Sequence, residues 1–356
     1  MTEQRRKTVV GLLFGGRSAE HDVSLKSAAA VAEHLDPRRF KILPIFIAKD
    51  GRWGQADSPA APPSRLKGAR SFLPWANKSL PAALKADIYF PVLHGPYGED
   101  GTVQGLLEMA DVPYVGAGVL ASAAGMDKAV MKSLFAARGL PIVNHIVLMD
   151  AEWRESPGAI LDRIRTAFRL PLFVKPANLG SSVGISKVKD WDGTAKSLAA
   201  AFAYDRKILV EQGVLARELE CSVLGNDEPR ASLPGELIPQ REFYDYDDKY
   251  NDGRTEFKLP APLPPPLTAE VRRLSIEAFR AVDCAGMARV DLFLEDGSNR
   301  LYVNEINTIP GFTAISMYPR LWEATGLPFA ALVEELIRLG FERHRAKKRR
   351  VDRRSP

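Results

Sequence analysis

Asp291, Glu305 and Asn307 are the residues whose types and spacing first promise chemistry. They lie in ARVDLFLEDGSNRLYVNEINT, residues 288–308, where two runs of alternating character flank the turn-rich EDGSN. That pattern predicts a β-hairpin. Centred on Ser298, the hairpin sets Asp291 opposite Glu305 and Arg289 opposite Asn307. Residues two apart share a face of a strand, so these four project to one side. Val290, Leu292, Leu294, Tyr302 and Ile306 then form an apolar face on the other. Directly opposed residues bring their Cβ atoms to about 4.5–5.5 Å, and like charges so placed repel. A divalent cation removes the repulsion, and an all-oxygen donor set suits Mg²⁺ or Mn²⁺. An exposed polar face in which Arg289 neutralises one acid accounts for the same residues.

Four loops add candidate anion- and cation-binding groups. Lys175 closes the apolar run LFVKP, and Gly180, Ser181, Ser182 and Gly184 follow it. Their N–H and hydroxyl donors can wrap an anion, although an ordinary glycine-rich turn has the same composition. Glu20, in GGRSAEH after the first apolar run, can pair with a ligand ammonium; its position favours capping the following helix. His94 opens HGPYGEDG, in which two acids between glycines read as a surface turn. FYDYDDKY, residues 243–250, mixes aromatic and charged side chains as an active-site lid does, and as solvated loops also do. No GxxxxGK[ST] occurs, nor a GxGxxG after a strand, which excludes the P-loop and dinucleotide fingerprints.

The elements that must hold these loops alternate in the first third. Strands are predicted at Lys7–Phe14, Lys41–Ala48 and Asp87–Leu93, with helices at about Ser24–Leu35 and Thr102–Ala110. Strand followed by helix, repeated, implies a doubly wound parallel sheet. The small residues of GAGVLASAAG suggest a boundary near 120, and ADSPAAPPS a Pro-rich surface insertion. A helix at Asp127–Arg138 and short strands at 145–149, 172–176, 185–188 and 208–212 follow. Longer alternating strands at 217–225, 235–239, 256–259, 288–295 and 300–308 suit antiparallel sheets with helices on one face. The Pro-rich LPAPLPPPL predicts an extended lead into a helix near Thr268.

The 356 residues carry a net charge of +5. RHRAKKRRVDRRSP, from Arg343, holds eight of the basic residues and one acid, leaving 41 basic against 43 acidic elsewhere. Basicity therefore belongs to the tail, expected to be solvated and frayed, with weak binding to nucleic acid or an anionic membrane as the other reading. No apolar run is long enough to span a bilayer, and no signal peptide is evident. Cys221 and Cys284, in apolar surroundings, read as core residues of a cytoplasmic protein.

Together GGRSAEHDVSL, HGPYGEDGTVQGLLE, GMDKAVMK, VKPANLGSSVGISKV, ILVEQ with ARELECSVLG, FYDYDDKY, RVDLFL and NEINTIPGFTAISMYP resemble the D-alanine–D-alanine ligases of the ATP-grasp superfamily. The resemblance implies an N-terminal α/β domain (1–121), then central (122–212) and C-terminal α+β (213–342) subdomains gripping ATP between them, before the basic tail (343–356). It implies ATP-dependent joining of two D-alanines through an acyl phosphate, for peptidoglycan precursor synthesis. Lys128, Lys175, Ser182 and Lys249 would meet the phosphates, and Glu211 and Glu218 the adenosine. Asp291, Glu305 and Asn307 would hold two Mg²⁺ (or Mn²⁺). Arg289 and the Gly311 N–H would form the oxyanion hole. Glu20 would bind the first D-alanine's ammonium and Ser316 the second's carboxylate, with His94 beside the substrates. Ser181, Tyr250 and Glu20 would close the lid. His94, or Tyr250 through Ser181, would take the amine's proton, and Tyr250 favours an amine over D-lactate as second substrate. A homodimer is implied, without nucleic-acid partners. Gln212 replaces the lysine that some members carry there, and the basic tail lies beyond the family pattern. Other carboxylate–amine ligases, and a non-catalytic nucleic-acid binder, are the competing readings.

Overall fold

The computed structural model describes residues 6–59, 67–70, 84–180, 183–238 and 256–352. Apolar residues fill both faces of β1 (Thr8–Gly15), β2 (Phe40–Ile47) and β5 (Ile88–Pro91), as strands covered on both sides require. Between them come α1 (His21–His34), β3 (Trp53–Gln55) and β4 (Lys67–Arg70), giving the sheet order β4-β3-β2-β1-β5. The expected parallel pairing holds for β2-β1-β5. At one edge β3 and β4 run antiparallel.

Helices α2 (Thr102–Met109), α3 (Val119–Met126) and α4 (Lys128–Ala137) lead into the second sheet. The small-residue stretch thought to mark a boundary is α3, and its Ala121 and Ala124 pack into the C-terminal core. Next come β6 (His145–Met149), α5 (Asp150–Glu155), α6 (Pro157–Ala167), β7 (Leu172–Pro176), β8 (Ser186–Val188), α7 (Thr194–Phe202) and β9 (Lys207–Gln212). The four strands form an antiparallel sheet, β6-β9-β7-β8, closed by Leu148, Ile164, Leu172, Val174 and Leu198.

The third sheet is built from β10 (Ala216–Gly225), β11 (Arg230–Ala231), β12 (Gly235–Ile238), β13 (Glu256–Lys258), β14 (Gly286–Glu295) and β15 (Leu301–Asn307). Helix α8 (Pro265–Ala281) packs on it. This helix starts earlier than the sequence suggested, because proline is well suited to the first turn, where its missing N–H costs nothing. In the hairpin, Arg289 faces Asn307 and Asp291 faces Glu305, as expected. Beyond Asp291 the register slips by one, so Leu292 meets Val303 and Phe293 meets Tyr302. Leu301 and Val303 therefore join the core, and Tyr302, assigned to the apolar face, does not. A bulge adds an unpaired residue and reverses alternation beyond it.

Two last helices, α9 (Met317–Ala324) and α10 (Phe329–Asp352), return to the N-terminal sheet. One core cluster joins Val10, Leu12 and Phe90 of that sheet to Trp322, Leu332 and Leu336. As far as Asp352 the basic segment is helical, as the end of α10, where a frayed tail was expected. The Arg343 guanidinium sits 4.0 Å over the Tyr114 ring and pairs with Glu108. Lys347 pairs with Glu108, and Lys348 with Asp111 at 3.4 Å.

Candidate active site

One cleft gathers Glu20, His94 and Lys128 with Arg289, Glu305, Asn307, Gly311 and Ser316. The N-terminal sheet supplies the first two from loops at the carboxyl ends of β1 and β5, where open α/β sheets bind ligands. Ser181, Ser182, Lys249 and Tyr250, and with them the proposed lid 243–250, lie outside the described residues.

Glu20 precedes α1, but its side chain makes no cap hydrogen bond. The capping role favoured by its position is thus corrected. Its carboxylate is buried in the cleft, against two loops that must come close. A Cβ on Gly95 would stand 2.8 Å from Glu20 Oε2, and one on Gly180 3.2 Å from it. Of the two acids in HGPYGEDG, Asp100 does the turn's work, accepting from the Tyr97 and Thr102 N–H groups. Glu99, which sequence reasoning left as surface, instead lines the cleft. Its carboxyl is pushed up to about 8, first by desolvation and then by the facing Glu20 carboxylate, although the Gly95 N–H donates to it.

His94 is buried, and burial pushes its imidazole down, favouring the neutral ring. Nδ1 lies 3.0 Å from the Ile309 carbonyl, and Nε2 lies 3.2 Å from the Ser27 hydroxyl. The carbonyl can only accept, so Nδ1 carries the proton and Nε2 accepts from Ser27. Both nitrogens are committed, tying the β5 loop to the segment after β15.

The C-terminal sheet presents the charged face. Arg289 donates to both oxygens of Asp291 at 2.7 Å and lies 3.2 Å from Glu220. These acids, with Glu305, hold its guanidinium protonated despite burial. Glu220 was missed by sequence reasoning. Yet Leu219, Cys221 and Val223 alternate with it and point into the core, so strand period alone placed it on the cleft side. Asn307 donates its amide to Asp291 at 3.1 Å. No group of three or more His, Cys, Asp or Glu able to hold a metal occurs among the described residues. Asp291, Glu305 and the Asn307 amide oxygen nevertheless share one face by register and make a hard-oxygen set that fits Mg²⁺, with Arg289 now occupying Asp291.

Across the cleft Lys128, first residue of α4, donates to the Leu179 carbonyl at 2.6 Å and lies 3.9 Å from Glu305. Lys175 pairs with Glu211 Oε2 at 2.6 Å, and Lys132 with Oε1 at 3.1 Å. The two ammonium groups hold the buried Glu211 carboxyl well below the usual range. Lys175, Glu211 and Glu218 do not themselves line the cleft, and the charge of Glu218, on β10, reaches Lys175. Gln212 turns its amide to the Arg169 and Pro171 carbonyls. Opposite, Ser316 is the N-cap of α9 without capping it. Its hydroxyl accepts from the Thr313 N–H, and a Cβ on Gly311 would approach it to 2.6 Å.

Three sheets in this order, with a cleft lined by a lysine, a helix N-terminus and a buried arginine, are the frame of an ATP-grasp carboxylate–amine ligase. The N-terminal model of the D-ala D-ala ligases matches residues 9–117, and the C-terminal model matches 134–338. The chain belongs to the D-alanine–D-alanine ligase family. It is 48% identical to a D-alanine–D-alanine ligase of Geobacillus thermodenitrificans, over 96% of this chain and 97% of that one. It is 51% identical to that of Solibacter usitatus, over 96% and 98%. The solved D-alanine–D-alanine ligase of Coxiella burnetii superposes with a TM-score of 0.86 at 38% identity, each chain covered to 97%. VanG, a D-Ala:D-Ser ligase of Enterococcus faecalis, does so at 0.83 and 32%, over 94% of this chain and 100% of its own.

Proposed function

We propose that this enzyme joins two D-alanines at the expense of ATP, releasing ADP and phosphate and supplying peptidoglycan precursor synthesis in the cytoplasm. The observation that carries the reading is the cleft itself, where Glu20, Arg289 and Ser316 converge beside Lys128.

A carboxylate is a poor acyl donor until its oxygen is converted to a leaving group. Glu20 holds the first D-alanine by the amino acid's ammonium, and a carboxylate oxygen of that D-alanine attacks the γ-phosphorus of ATP. The bond to ADP breaks, leaving an acyl phosphate. Lys128 and Lys175, with Ser182 and Lys249, spread the charge of the moving phosphoryl group, the main lever in such transfers. Asp291, Glu305 and Asn307 would hold two Mg²⁺, which when bound would supply positive charge against the phosphates. Glu211 and Glu218 take the adenosine. The second D-alanine sets its carboxylate at Ser316 and the α9 N-terminus, whose dipole and N–H groups favour an anion. Its amine attacks the carbonyl carbon, Arg289 and the Gly311 N–H stabilise the oxyanion, and phosphate departs. With both nitrogens engaged, His94 braces the substrate loops, so Tyr250 through Ser181 is the group we assign to the amine's proton.

The fold alone leaves the second substrate open, since a D-Ala:D-Ser ligase shares it. ADP release and product identification with D-alanine, D-serine and D-lactate at neutral pH test the reading. D-Alanyl-D-alanine as main product supports it; preference for D-lactate or D-serine refutes it. Two copies per particle by light scattering is the expected assembly.

A further inference from the structure

Lys132 has no part in the chemistry above, yet it is among the largest fully buried side chains. It stands one turn beyond Lys128 on α4, so both reach the same side of that helix. Its side chain is 1% exposed, that of Glu211 3% and that of Lys175 11%. Burying an ion is costly, and a second lysine on one buried carboxylate exceeds what neutrality needs. His145 on β6 and Glu305 on β15 also act on the Lys132 charge or feel it. The surplus cation therefore asks for a reason.

The two lysines differ in what they can meet. Lys175, next to last in β7, keeps some exposure to solvent, whereas Lys132 is shut in. A triphosphate entering the cleft competes with Glu211 for Lys175. Once Lys175 turns to the phosphates, Glu211 would be a buried charge without a counterion were Lys132 absent. We propose that Lys132 is a positioning residue for the nucleotide, keeping Glu211 ionised and in place so that Lys175 is free to engage the phosphates. This role rests on the reading of the cleft as an ATP site.

The test uses the full chain with Lys132→Met, of similar length and uncharged. ATP affinity by calorimetry and the KM for ATP should each weaken by roughly a hundred- to a thousandfold, the penalty of an uncompensated buried charge. The KM for D-alanine should stay within about twofold, because that interaction is untouched. Lys132→Arg, which keeps the charge, should recover most of the loss. A second arm holds even where Lys132→Met folds poorly. In a Glu211→Gln background no charge needs balancing, so adding Lys132→Met should cost no further ATP affinity. Unchanged ATP affinity in Lys132→Met, equal losses for ATP and D-alanine, no recovery with arginine, or additive losses in the double variant would each overturn the role. Failure of the wild-type chain to bind ATP would instead remove the nucleotide reading itself.

Discussion

Burial pushes the Cys221 thiol up to about 11 and that of Cys284 to about 12. Since the thiolate is the reacting form, an aromatic disulfide reagent at pH 8 should label neither in the native protein and both after denaturation. Prompt labelling of either in the folded state would contradict their placement. Glu99 gives a pH dependence of opposite consequence. Its folded value, about 8, lies above the ordinary 4.5, so its contribution to stability is full at acid pH and is lost as pH rises through about 8. Glu99→Gln should flatten that decline in the ligand-free enzyme, as denaturant titrations between pH 5 and 9 would show. Arg289→Ala should lower turnover at least about a hundredfold while ATP affinity stays near wild type, the usual loss for one oxyanion donor. Turnover near wild type would exclude the role. Glu20, Lys128 and Ser316, expected from the family motifs, and Arg289, expected from the hairpin, do line one cleft. Glu99 was not expected there, because a glycine-flanked acid pair reads as solvated, and only the fold shows which of the two turns inward.

At the scale of elements, α4 matters most, since it carries Lys128 and Lys132. Asp127 starts it, accepting from the Ala129 and Val130 N–H groups at 3.1 Å while pairing with Lys207. Removing such a cap costs about 1 kcal/mol, and the lost partner adds to it. Asp127→Ala should therefore lower stability by about 1–2 kcal/mol in chemical denaturation and raise the KM for ATP more than that for D-alanine. An unchanged midpoint would show that water takes over as acceptor for the two N–H groups. Most strands could be read from their apolar runs, and the paired positions of Asp291 and Glu305 from the hairpin's length. The slip beyond Asp291 could not, because an extra residue leaves the local composition unchanged and shows itself only in which side chains are covered. The same blindness put Tyr302 in the core.

At the scale of the molecule, the basic end was misread because charge density says nothing of distant acids. Glu108 and Asp111 lie more than two hundred positions away in sequence from the side chains they meet. Truncation after Glu342 should lower the melting temperature by a few degrees at low salt and by less at high salt, since exposed ion pairs are weak and screened. A salt-independent loss would assign the stabilisation to the Arg343–Tyr114 stacking alone. The shared core of the first sheet and the last helix reaches further. On the ribosome, β1 and β5 emerge long before Leu332 and Leu336, so one side of the earliest-made sheet stays greasy until translation ends. A chain cut before Leu332 should therefore aggregate rather than fold as a smaller piece, as light scattering of that truncation would show.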